Sequence, residues 1–194
     1  GMMTTKVREK FEKWREEMGG SDLNRENISM LFDAIMQQNS AISYECVLEA
    51  FEKITQYSEK NRSPFRWKTN SAYMVADKFI LPNVLDNSSY SGLSLHYGRW
   101  GRELLDDIDR ALCMVSGKNF ADISTTANAI SKWCRDKMLP EESEFFTFKC
   151  FFKGSAHFKF KDEKIRMEFN RRACEKKGWQ LPEQEFFHGK ARRK

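Results

Sequence analysis

Glu144-Phe145-Phe146-Thr147-Phe148-Lys149-Cys150-Phe151-Phe152-Lys153-Gly154-Ser155-Ala156-His157-Phe158-Lys159-Phe160 is the stretch on which the fold turns. Its alternate residues separate into two unlike sets. Phe146, Phe148, Cys150 and Phe152 form one, matched beyond the glycine by Phe158 and Phe160. Phe145, Thr147, Lys149, Phe151 and Lys153 form the other, joined by His157, Lys159 and Lys161. Successive strand side chains point to opposite faces, so a period of two around a glycine-containing break describes a half-buried β-hairpin. One face supplies a core; the other carries cations around two aromatics.

The register of that hairpin follows from burial. A slip of one residue exchanges the faces. A two-residue loop at Gly154-Ser155 sets Phe152 against His157 and mixes them. A three-residue loop, Gly154-Ser155-Ala156, sets Lys153 opposite His157 and Phe152 opposite Phe158, which keeps both faces pure. The pattern predicts the longer loop, although Ala156 stands where such loops favour glycine.

With 194 residues, 40% hydrophobic and 31% charged, the chain has the composition of a soluble globular domain with a core of its own. No window approaches the ~18 consecutive apolar residues of a membrane span. The N-terminus is charged from Lys6 onward and does not read as a signal peptide; Gly1 ahead of Met2 reads as the remnant of a tag. Cys46, Cys113, Cys134, Cys150 and Cys174 are odd in number, widely spaced and without a Cys-x-x-Cys pair. They read as free thiols of a cytoplasmic protein, and with His96, His157 and His188 scattered no metal site is expected. The net charge of +5 is uneven. Lys149–Lys194 holds fourteen Lys and Arg against six Asp and Glu, whereas the remainder holds nineteen against twenty-two. A mildly acidic body with a basic C-terminal third suits nucleic acid or another anionic partner, and equally a solvated face.

Helical periodicity fills most of the rest. Val7, Phe11, Trp14 and Met18 mark a charged arm that Gly19-Gly20-Ser21 stops. Asn24 or Asn27 caps a helix carrying Ile28, Leu31, Phe32 and Ile35, and Ser43 caps another carrying Tyr44, Val47, Leu48, Phe51 and Ile54, which fades near Asn61. Residues 62–76 read as a loop feeding an extended segment, Lys78–Val84 as a strand ending near Pro82, and Asp86–Ser94 as turn-rich. Leu104, Leu105, Ile108, Ala111, Leu112 and Val115 define the clearest helix, closed by Gly117; another spans roughly 122–138. After the hairpin, Ile165, Phe169 and Ala173 mark a helix from about Glu163 to Lys177 that Gly178 ends. The order predicts an α+β fold, mostly helical, with a small antiparallel sheet that includes the C-terminal hairpin. Residues 1–20 form the arm, 21–180 a single domain, and 181–194 a basic, frayed tail.

No nucleotide-cradling glycine loop and no Gly-x-Ser-x-Gly elbow occurs, so no cofactor is expected. Asp106, Asp107 and Asp109 read as a solvated acidic face rather than a metal cluster, since adjacent helical residues do not share a face. His157 beside Lys153 and Lys159 is a candidate neutral base, but no orienting partner is placed by spacing. The stronger candidate is the basic aromatic hairpin face. Lys149, Lys153, His157, Lys159 and Lys161 would meet phosphates while Phe145 and Phe151 stack on unpaired bases. Arg171, Arg172 and the tail cations Lys190, Arg192, Arg193 and Lys194 extend the patch. The competing reading covers that face with a helix and lets the lysine stems snorkel out.

Trp67-Lys68-Thr69-Asn70 followed by Lys78-Phe79-Ile80-Leu81-Pro82, Asp107-Ile108-Asp109-Arg110 leading to Gly117-Lys118, and Phe151-Phe152-Lys153-Gly154 with His157-Phe158-Lys159-Phe160 and Phe169-Asn170 together resemble the bacterial family catalogued as domain of unknown function 4942. The likeness covers roughly residues 25–177. It implies a phage-, plasmid- or integrated-element gene and a neighbourhood of DNA methyltransferase-like modules, hence DNA or RNA, or a DNA-modifying protein, as partner. No methyltransferase module is present, and the turn is Gly-Ser-Ala where the family pattern implies Asn-Gly. No catalytic residue transfers. The resemblance implies that Lys68, Asn70, Lys78, Arg110, Lys153 and His157 converge. Two further functions stand beside non-enzymatic nucleic-acid binding: an enzyme on a nucleotide or nucleic-acid substrate with His157 as base, and an interaction module built on the N-terminal arm.

Overall fold

The computed structural model describes residues 42–56, 70–71, 73–88 and 92–179, together with Glu9, Glu12, Lys13 and Glu16, which are helical. The stop at Gly19-Gly20-Ser21, the helix around Ile28 and the tail lie outside these residues. The described order is α1 (42–55), β1 (Asn70–Ser71), β2 (Met74–Val75), β3 (Lys78–Leu81), β4 (Leu85–Ser88), β5 (Gly92–Leu95), α2 (Arg102–Ser116), α3 (Thr126–Arg135), β6 (Phe146–Cys150), β7 (Ala156–Phe160) and α4 (Glu163–Lys177). The fold is α+β with small antiparallel sheets, as the sequence predicts. Among the described residues no helix is long and apolar enough to cross a membrane.

The central sheet has the strand order β3-β7-β6, all antiparallel. Its rows across the three strands are Lys78–Lys159–Thr147, Phe79–Phe158–Phe148, Ile80–His157–Lys149 and Leu81–Ala156–Cys150. The second and fourth rows, with Phe146 opposite Phe160, face inward. Phe79 stacks on Phe158 with ring centroids 5.1 Å apart, and Phe146 meets Phe160 edge-on at 4.8 Å. Leu104, Leu105, Ile108 and Leu112 of α2 and Phe169 of α4 join the same core, as do Val47, Phe51 and Ile54 of α1. Offset and edge-on aromatic pairs add to the area each ring removes from water, so this layer carries the stability.

The hairpin differs from the predicted register by four residues, His157 facing Lys149 rather than Lys153. Cys150 lies opposite Ala156 and Lys149 opposite His157, leaving five residues, 151–155, in the loop. An even shift preserves the faces, which is why the alternation survived it. The loop closes with Phe151 N–H donating to the Ser155 carbonyl and Gly154 N–H to the Phe151 carbonyl. Gly154 takes φ +88 and accepts the Leu85 N–H, and a Cβ there would sit 2.9 Å from the Leu85 carbonyl oxygen. Docking of the turn on β4 therefore sets the loop length. Ala156 becomes a buried strand residue, and Phe152 is left 73% exposed.

Other expectations are corrected by long-range packing. Ser43 lies inside α1 rather than capping it. Asp86–Ser94 is not only turn: β4 and β5 form a hairpin in which Leu85 faces Leu95 and Asn87 faces Leu93, so buried leucines override the poor strand propensity of Asp, Asn and Ser. The helix expected over 122–138 is α3, entered through Thr125, whose hydroxyl caps the Asn128 N–H. Gly117 and Gly178 end α2 and α4 as predicted.

Asp107 and Asp109 are not a solvated face; they are 1% and 0% exposed. Asp107 pairs with Lys53 at 2.7 Å and with Arg110 at 3.1 Å. Asp109 accepts from the Thr126 N–H at 2.5 Å and from its hydroxyl at 2.8 Å, and Thr126 Oγ1 meets Ser143 Oγ at 2.9 Å. Burial pushes the Asp109 carboxyl up to about 7, against the two Thr126 hydrogen bonds that lower it. These carboxylates tie α2 to α1 and α3. Asn170, fully buried, accepts from the Val75 N–H and donates to its carbonyl, doing for β2 what a neighbouring strand would.

Candidate functional site

The outer rows of the central sheet, Lys78–Lys159–Thr147 and Ile80–His157–Lys149, floor a groove of about 750 Å³. Lys78, Thr147, Lys149 and Lys159 are exposed, so the described helices leave this face open. Glu141 completes the lining from the segment beside β6, where its carbonyl accepts the Phe148 N–H. Placement follows from pairing alone: antiparallel register puts Lys78 directly opposite Lys159, a like-charge pair that local sheet energetics disfavour.

None of Lys78, Lys149 and Lys159 forms an ion pair with a described residue. Several cations elsewhere are paired. Lys118 pairs with Glu144, and Lys161 with Glu142 at 3.2 Å. Arg166 pairs with Glu163 and donates to the Val75 carbonyl. Arg171 pairs with Glu168 at 2.6 Å and with Glu175, and Arg172 with Glu168 at 2.8 Å. Hydrogen bonds from Arg171, then Arg172, hold the Glu168 carboxyl at about 2 despite its partial burial.

His157 is half-buried, and burial, then the Lys153 charge, lower its pKa below the ordinary 6.5, so the imidazole is neutral at pH 7. Its ring packs on Phe151 with centroids 4.3 Å apart. It makes no hydrogen bond to a described residue, so nothing described orients it as a general base.

Of the residues singled out from sequence, Lys78, Lys149, His157 and Lys159 come together on one face, with Lys153 exposed in the adjoining turn. Lys161 leaves the face, its Nζ donating to Glu142 and the Ser143 carbonyl. Arg171 and Arg172 lie on α4, which packs against α2, and Arg172 donates to the Met114 carbonyl there. Arg110 lies on α2, paired with Asp107 and 4.5 Å over the Phe120 ring, away from the groove. Lys68, the side chain of Asn70 and the tail cations lie outside the described residues. Phe145 is 3% exposed and belongs to the core, so it is not a stacking platform; Phe151 remains beside the groove. Ile80 and Glu141 were not singled out. Ile80 has a signal, alternation with Phe79 and Leu81, whereas Glu141 is brought to the rim by tertiary pairing, the bridge from Glu142 to Thr147 and the Phe148 N–H to its carbonyl.

The family model described as Domain of unknown function (DUF4942) matches residues 1–179. No curated protein and no solved structure matches the chain.

Proposed function

The chain belongs to the domain of unknown function 4942 family, and from that premise we propose that it binds nucleic acid without catalysis through the outer face of β3-β7-β6. The observation that carries this reading is the opposition of Lys78 and Lys159, with Lys149 nearby, in a groove where no described carboxylate pairs with them. Placing like charges together costs local stability, and an anionic ligand offsets it. Strand spacings put Lys149 about 8 Å from Lys159 at Cα, a reach that suits successive phosphates of a backbone. An accessory role beside a DNA-modifying partner in a mobile element is consistent with such binding.

The test is retention of labelled oligonucleotides by wild type and by a Lys78→Glu, Lys149→Glu, Lys159→Glu variant. Three neutralised phosphates give a salt slope of about −2 for a single strand, so affinity falls roughly 20-fold between 50 and 200 mM salt. The triple variant should lose retention entirely. Salt-insensitive retention, or none at 50 mM, refutes the reading. The enzymatic alternative draws on the neutral His157 alone and would need an activity that His157→Gln abolishes while retention stays intact.

A further inference from the structure

We infer that the groove takes a single strand rather than a duplex and holds one unpaired base over Ile80, His157 and Phe151, with Glu141 reading the base edge; this rests on the nucleic-acid reading of the same site. The groove is not uniformly cationic. One outward-facing row along from the Lys78–Lys159 pair lie Ile80 and His157, side by side across β3 and β7, with Lys149 next to His157 on β6 and the Phe151 ring against the imidazole. A site for phosphate alone has no use for an apolar floor. Its volume of about 750 Å³ falls within the ~300–1,000 Å³ of small-ligand sites.

Glu141 sharpens the assignment. It is half-buried at the rim and forms no ion pair with a described residue, although Lys149 lines the same groove. A carboxylate repels phosphate but accepts hydrogen bonds from base amino and imino groups, as carboxylates do from cytosine N4. Phosphates therefore lie at the lysine corners and the base lies beside them, the division of labour used by sheet-based single-strand binders.

The experiment measures binding of the full chain to homopolymeric DNA and RNA ten-mers, an abasic strand of equal length and a DNA duplex, at 50 mM salt. Base-bearing single strands should bind roughly five- to a hundred-fold tighter than the abasic strand, the range of one stacked base. Glu141→Gln should reorder affinities among the homopolymers while leaving the salt slope unchanged; its backbone contact to Phe148 is kept. Ile80→Ala should lower affinity for base-bearing strands and leave the abasic strand unaffected. Equal binding of abasic and base-bearing strands, or of duplex, overturns the inference while polyanion binding survives. Failure of every strand at low salt overturns both.

Discussion

On the inner side of β3-β7-β6, Phe79, Phe146, Phe158 and Phe160 meet one another at 4.8 to 5.7 Å. On the outer side, one residue along each strand, Lys78 and Lys159 stand opposite each other with no described partner. The helical layer resembles neither. It buries charge, but every such group is matched: Asp107 with Lys53 and Arg110, Asp109 with Thr126, Arg166 with Glu163 and Val75. A polar group taken from water is tolerated when its hydrogen bonds are replaced, and a like-charge pair is tolerated where water screens it. The inner face and helices carry stability, and the outer face is left open to solvent.

That division can be broken from either side. Phe158→Ala should remove about 3–5 kcal/mol of stability in urea unfolding, because the cavity opens beside the three remaining rings, Phe79, Phe146 and Phe160. Strand retention by the remaining folded protein should be unchanged; a variant that unfolds no more easily than wild type would show that the inner face is not the core.

Asp109 probes the helical layer. Its pKa is raised in the folded state, so the protonated carboxyl favours folding. Its contribution is present in full below about pH 4 and is lost as pH rises through about 7, by about 4 kcal/mol at most. Asp109→Asn keeps an acceptor for the Thr126 N–H and gives an amide donor to its hydroxyl. The variant should therefore remove this part of the pH dependence and be the more stable protein at pH 8. Parallel stability profiles for the two proteins between pH 4 and 8 would contradict the assignment.

The smallest effect should come from the outer face. Lys159→Thr relieves the opposition to Lys78 and should change stability by no more than about 0.5 kcal/mol. It should also flatten the salt slope of single-strand binding by about 0.7. A large loss of stability would mean that the lysine is structural.

The sequence was most legible where one local period dominated. Leu104, Leu105, Ile108 and Leu112 foretold α2, Ile165, Phe169 and Ala173 foretold α4, and the cationic face of the hairpin was read correctly at Lys149, His157 and Lys159. Legibility failed where the answer depended on distant partners. Asp107 and Asp109 look solvated until Lys53 and Thr126 are brought to them. Asp86-Asn87-Ser88 looks like turn until Gly92-Leu93-Ser94 pairs with it and Leu93 and Leu95 enter the core. Phe145 follows the polar parity of its strand, yet it precedes β6 and turns inward.

By itself the sequence determined the parity of the hairpin, the helical stripes and the excess of positive charge toward the C-terminus, because each is a property of neighbouring residues. Tertiary structure alone decided that β3 lies beside β7, which adds Lys78 to the lysines of the hairpin, and that Glu141 closes the groove. Those placements rest on backbone hydrogen bonds and on burial shared between residues about 80 positions apart, and no local pattern specifies such partners.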